Sequence, residues 1–248
     1  MLSLYFYALN LIKYKNMKGV IVTILSIFLT FNVFAQESEM KKELLAPFTT
    51  VEIDAPIRLK LIKIAENEIP YILYDTKGAT LSRFSFEVNN KTRVLKISER
   101  HDPQRKTTTE VEVYFNTITD ISIARADTTI EGTLKSQLLD IYVSRGAHLT
   151  AEIDVLDVMV YASGKSRVEL KGQTHYHTAD VSTALYDADE LYAVSTIVES
   201  SHNAIARVDA EERLQMTTST GGKIYYRSQP VILRSRITTF GGEITVSK

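Results

Sequence analysis

His175 and His177 stand two residues apart in "THYHTAD", with Asp180 three residues further on. On a strand, alternate side chains share a face, so the two imidazoles would lie together with Asp180 close by, which could begin a zinc site. No third and fourth ligand is defined by the spacing, and the chain contains no cysteine. The expectation is two exposed histidines on a strand, with no metal. A second group, Asp187, Asp189 and Glu190, lies in "YDADE". Clustered carboxylates serve calcium binding or acid/base chemistry in β-helix polysaccharide lyases and hydrolases. The glycine-rich calcium repeat is absent, and acidic residues are ordinary beside a chain corner. "STGGKIYY" lacks the spacing of a phosphate-binding loop, and no G-x-S-x-G elbow occurs. No catalytic, cofactor-binding or metal residue is therefore assigned, and no cofactor is expected. The candidate contact residues are Tyr142, Tyr161, Tyr176, Tyr186 and Tyr192. A row of exposed tyrosines would stack on sugar rings or meet a protein partner. The competing reading is the ordinary preference of Tyr for strands.

The segments that carry these residues repeat. "TDISIARADTTIEG", "LDIYVSRGAHLTAE", "LDVMVYASGKSRVEL", "TADVSTALYDADEL", "VSTIVESSHNAIARV", "LQMTTSTGGKIYY" and "SRITTFGGEITV" follow one another. The small-turn markers Ala126, Gly146, Gly164, Ala184, His202, Gly221 and Gly241 are 18 to 20 residues apart. A fixed period of this kind marks a solenoid. Within each unit the period is two: Ile141 and Val143 oppose Asp140 and Tyr142, and Val158 and Val160 oppose Asp157 and Met159. The spacing predicts an all-β fold, a parallel β-helix-like solenoid of about seven 18–20-residue coils, preceded by a short β-rich section. One coil cannot bury its own inner face, and stacking aligns the apolar residues into one core. The inward parity relative to the marker shifts, since Val143 precedes its marker by three residues and Val160 by four. Corner lengths should therefore vary.

Before the repeats, "FTTVEIDAPIRLKLIKI" reads as two strands broken at Pro56, and "FSFEVNNKTRVLKI" as two more around Asn89 and Asn90. We place a β-rich section at 46–100, leading into or capping the solenoid repeats of 101–248. Residues 46–248 are read as one continuous domain. The polar "ERHDPQRKTTTE" is the expected long loop or internal boundary. Upstream, "MKGVIVTILSIFLTFNVFAQ" has the charged start, apolar run and small-residue end of a signal sequence. Cleavage is expected after Ala35 of a signal sequence at 1–35, read either as starting in truth at Met17 or as an unusually long signal, and 36–45 is a polar segment. A 15-residue apolar run is short for a membrane span of about 20, so no anchor is expected after cleavage.

The matched 29 basic and 30 acidic residues lack the electrostatic footprint of a nucleic-acid binder. The apolar fraction of 44% is enough for a substantial core. "FTTVEI", "LKI", "YASGKSRVELKG", "STGGKIYYRSQP" and "TFGGEITVSK" come in the order and spacing of a known family. The chain resembles the family called putative auto-transporter adhesin, head GIN domain, over roughly 46–248. That resemblance implies an exported, repetitive β fold without an assigned activity. Several family units read Ser-Gly where this chain has Ala126, Ala184 or His202. No C-terminal strands that would build a membrane barrel are read after the last unit.

These readings lead to an exported, non-enzymatic β-solenoid in the periplasm, at the cell surface or secreted. It would act as an adhesin-like binding module or an envelope scaffold, with a glycan or an envelope protein as partner. The alternative is a carbohydrate-active enzyme on the same fold, which a groove of converging carboxylates and basic groups would favour. The last coil is expected to pair with another copy or a partner protein.

Overall fold

The computed structural model describes residues 40–78, 83–100, 103–104, 106–238 and 240–247, all within one compact unit, Met40–Lys248. The expected signal sequence lies outside the described residues. Every regular element among the described residues is a strand.

The repeats form the solenoid. After β8 (Asp120–Ala124) come four strands that each run round most of a coil: β9 (Asp127–Ser144), β10 (His148–Ser163), β11 (Arg167–Ser182) and β12 (Leu185–Ser201). They pair in parallel along their length, with β9 against β10, β10 against β11 and β11 against β12. We describe each coil as three walls. In β10 the first wall is 148–151, the second 153–155 and the third 158–163. A register shift lies between the first two walls. Between the second and third, burial skips from Val155 to Val158, so the chain turns a corner there.

The inner face is built from aligned columns. One column runs Ile121, Ile141, Val160, Ala179, Val198, Met216 and Ser235, each in register with the next. The steps are 20, 19, 19, 19, 18 and 19 residues, more even than the turn markers suggest. The parity problem has a simple origin. The turns 144–147, 163–166, 201–204 and 219–222 are each closed by a backbone hydrogen bond across four residues. Their two central residues have positive φ: Arg145 and Gly146, Gly164 and Lys165, His202 and Asn203, Thr220 and Gly221. This is the geometry of a type I′ turn, and glycine occupies either central position. The glycine slides while the inward parity stays constant, so Val143 aligns with Ala162 and Ile141 with Val160.

The markers Ala126 and Ala184 are not at the turn apex. Positive φ falls on Arg125 and Thr183 just before them. The two alanines are buried and belong to a column of small residues, Ala126, Ala147, Ser166, Ala184 and Ala204, beneath the turns. The carbonyl of each accepts a backbone N–H from the coil above, as His148 N to Ala126 O at 2.8 Å.

The opening section both caps and starts the stack. β2 (Thr50–Asp54) and β3 (Ile57–Lys63) form a coil that pairs with β8 and β9. β6 (Val94–Glu99) and β7 (Thr109–Phe115) form another, paired in parallel on the other side of β2 and β3. The polar stretch between β6 and β7, of which residues 101, 102 and 105 lie outside the described residues, therefore joins two strands of one coil. Antiparallel strands cover that end: β5 (Phe84–Asn89) lies on β6, β4 (Tyr71–Asp75) on β7, and β1 (Lys41–Leu44) on β4.

Past β12 the coils change. β13 (Ile205–Val208) and β15 (Gly222–Tyr226) continue the first wall, and β14 (Arg213–Thr218) and β16 (Ile232–Ile237) the third. β17 (Gly242–Val246) ends the first wall. The second wall has no strand above β12, because residues 209–212 are irregular and cross it in a shorter path.

Candidate binding surface

The loss of the second wall makes a ledge. Asp154, Gln173 and Tyr192 stand in register on three successive coils of that wall. Tyr192 is on the top rung, with no strand side chain above it, and is 77% exposed. Above it the backbone N–H of Glu211 donates to Ala193 O at 2.9 Å and that of Glu212 to Val194 O at 3.0 Å, so the crossing segment is fastened to the rung. The step encloses an open groove of about 590 Å³, lined by Asp154, Gln173, His175, Tyr192, Asp209, Glu211 and Ser228, among others. That volume lies within the ~300–1,000 Å³ usual for ligand sites.

Its polar groups are fixed in place. Gln173 Nε2 donates to Asp154 Oδ1 at 2.9 Å, and Lys135 Nζ lies 2.9 Å from Asp154 Oδ2. The two partners hold the Asp154 carboxyl below its ordinary range, the Lys135 hydrogen bond contributing most. The Asp209 carboxylate accepts the backbone N–H groups of Ala210 and Ser228 on Oδ1 and the Ser228 hydroxyl on Oδ2 at 2.7 Å.

The other tyrosines separate by wall. Tyr142 and Tyr161 are in register on the third wall, point outward and stack at 4.9 Å with rings 5° from parallel. Burial, with help from Asp140, raises the Tyr142 hydroxyl pKa. Tyr176 is exposed at the corner that leads into this wall, in register with Asp157. Tyr186 is a correction to the expected contact surface. It is 1% exposed and points into the core from the first wall, in register with Val168 and Ala206. The tyrosines therefore form a stacked pair and two separate side chains, not one row.

The histidines also differ from expectation. The corner between the second and third walls falls at 175–176, so the two side chains do not share a face. His175 is exposed in the groove, and His177 is 2% exposed in the core. Tyr186 Oη lies 2.6 Å from His177 Nε2, and Thr196 Oγ1 lies 3.3 Å from Nδ1. Thr196 donates its own proton to Asp209 O at 2.9 Å, so its oxygen accepts from Nδ1–H and Nε2 accepts from Tyr186. Burial lowers the His177 pKa to about 4. Among the described residues no three His, Asp or Glu side chains converge as metal ligands.

Asp187, Asp189 and Glu190 line a second groove of about 360 Å³ with Glu169, Arg167, Lys171 and Arg227. Carboxylates and basic groups do meet here, largely as pairs. Arg167 Nε contacts Glu169 at 2.6 Å, Lys171 Nζ contacts Glu152 at 3.2 Å, and Arg207 contacts Asp187 at 3.7 Å. Arg227 lies 3.9 Å from Asp189 and donates to its backbone carbonyl at 2.9 Å. Burial first, then Asp187, raises the Asp189 pKa. The glycines of "STGGKIYY" serve the 219–222 turn.

The ledge residues Asp154, Gln173, Asp209, Glu211 and Ser228 were not singled out by the sequence. A signal exists: the repeated units skip residues 209–212, where alternation gives way to "DAEE".

A continuous buried core with aromatic and acidic side chains on its outer walls defines a β-solenoid module. The family model of the putative auto-transporter adhesin, head GIN domain, matches residues 47–230, and the chain belongs to this family. The fold is similar to that of a putative adhesin from Bacteroides fragilis, at TM-score 0.73 and 16% identity, covering 84% of this chain and 96% of that one. A putative adhesin from Parabacteroides merdae gives 0.62 and 14%, covering 84% and 95%. A putative lipid binding protein from Parabacteroides distasonis gives 0.61 and 14%, covering 85% and 96%. No curated protein matches the chain.

Proposed function

We propose that the chain is an exported, non-enzymatic module that binds glycan or envelope protein at the cell envelope through the outer walls of its solenoid. The observation that carries this reading is the exposure of tyrosine rings on a rigid wall, at Tyr192 and in the Tyr142–Tyr161 stack. Such rings present large contact area at little entropic cost because the strands beneath them are already ordered. The ion pairing of the charged groove supports binding over catalysis, since most of its carboxylates have a cationic neighbour. Export is supported by the signal-like segment ending at Ala35 and by family membership.

Two measurements test this. Mass spectrometry of the mature N-terminus should show cleavage after Ala35, and a secreted species retaining residues 17–35 would refute it. The purified protein should retain envelope polysaccharide or envelope protein without altering it. Turnover of a polysaccharide would contradict the non-enzymatic reading.

A further inference from the structure

The ledge combines three features. It is concave, it carries the most exposed of the solenoid-wall tyrosines, and its lining includes no Lys or Arg. The cause is the shortened path of 209–212, which stops the second wall one rung above Gln173. Tyr192 thereby gains an open ring face next to acceptors that its own coil does not supply.

We propose that this ledge is a saccharide subsite, in which a pyranose ring of a neutral oligosaccharide stacks on Tyr192 while Gln173, Asp154 and Asp209 accept its hydroxyl protons. The proposal rests on the reading of the module as an outer-wall binder and names the ligand of one site. A pyranose has an apolar C–H face and a rim of hydroxyl donors, and it needs a flat ring beside planar acceptors. Gln173 Nε2 is committed to Asp154, which leaves Oε1 as an acceptor. Ser228 and Ala210 hold the Asp209 carboxylate still, so binding costs little ordering there.

Charge decides between ligand classes. Asp209 and Glu211 disfavour uronic, sialic or sulfated sugars. A basic peptide would require uncommitted carboxylates. Asp154 is paired with Lys135 and Asp209 is held by the Ala210 and Ser228 donors, so only Glu211 has neither an ion pair nor a side-chain hydrogen bond among the described residues. Asp154 and Asp209 each keep a lone pair for a hydroxyl donor, and oligolysine tests whether an ammonium group takes the same acceptors.

The test is calorimetric titration of the mature protein with maltoheptaose, cellohexaose, mannohexaose and N-acetylchitohexaose at millimolar concentration. Polygalacturonate oligomers and an oligolysine peptide serve as charged comparators. At least one neutral oligosaccharide should bind, and the acidic oligomer should not. Tyr192→Ala should weaken binding roughly tenfold or more, and Tyr192→Phe, which keeps the ring face, only slightly. Because Tyr192 is exposed, both variants should melt like the wild type. Failure of every neutral sugar to bind, or binding by oligolysine alone, would overturn the proposal. Sugar binding unaffected by Tyr192→Ala but lost in Tyr142→Ala would overturn the ledge assignment and leave the outer-wall function standing.

Discussion

His177 is buried in the core, and its neutrality is part of the fold. The column it occupies otherwise holds Leu139, Val158, Thr196 and Leu214. Its two nitrogens are satisfied in one direction only, from Tyr186 through the ring to Thr196 and Asp209 O. Protonating Nε2 would remove the acceptor that Tyr186 needs and bury a charge. The folded pKa of about 4 lies below the ordinary 6.5, so the unfolded chain takes up the proton first. Stability is then complete above pH 6.5, falls as pH drops from 6.5 towards 4, and loses about 3 kcal/mol from this group. Urea midpoints at pH 7.5 and 4.5 would measure it, and His177→Gln, which still offers an acceptor, should flatten the decline over that window. A pH dependence identical to wild type in this variant would remove His177 as the cause. Two neighbouring positions test the facing directly. Val160 is fully buried, and Val160→Asp should cost more than about 4 kcal/mol in thermal or urea unfolding. Outward-facing Asp157→Ala should stay within about 0.5 kcal/mol.

At the scale of the coil, corners decide what the sequence tolerates. Gly172 stands in the inward column of Leu134, Ile153 and Leu191 with φ 110°, and a Cβ there would lie 2.0 Å from Ile153 O. Gly132, on the coil of β9, has φ 75° and open space around its missing Cβ. Gly172→Ala should therefore cost more than about 3 kcal/mol, because strain and a backbone clash combine, and Gly132→Ala about 1 kcal/mol. Equal unfolding midpoints for the two variants would mean that the coil relaxes around Gly172. The sequence disclosed the repeat and most inward residues because β alternation and a near-constant coil length both leave direct traces. Ile141, Val143, Val158 and Val160 face inward as their alternation predicts. Corners leave weaker traces. A turn at 175–176 put His175 and His177 on different sides, and the burial of Tyr186 depends on which wall it occupies. The ledge was hidden for a related reason: it arises from a strand that is absent above Tyr192, and side-chain periodicity records only strands that are present.

At the scale of the whole stack, its two ends differ among the described strands. Antiparallel strands β1, β4 and β5 cover the N-terminal end, so the ladders of β6 and β7 each have a partner on both sides. At the other end β16 pairs with β14 and β17 with β15, each on one side only among the described strands. All six residues of β16 are exposed. Leu233 and Ile237, which align with buried Leu214 and Thr218, are 38% and 56% exposed. Open backbone groups beside apolar side chains form a template for another strand. We propose that a second copy pairs there, β16 against β16. The outward residues of β16 include Arg234 and Arg236, which a symmetric pair would bring together, so the contact should be weak at low salt and strengthen as salt screens the repulsion. Light scattering after size exclusion should show mass rising with both protein and salt concentration, and Ile237→Asp should abolish the rise while leaving the melting temperature nearly unchanged. Hydrogen exchange separates this from an end that stays open. In a monomer, protection should fall coil by coil towards β16 and β17, as in a one-dimensional stack. A monomer at every concentration, with slow exchange at Ile244 and Val246, would exclude self-pairing.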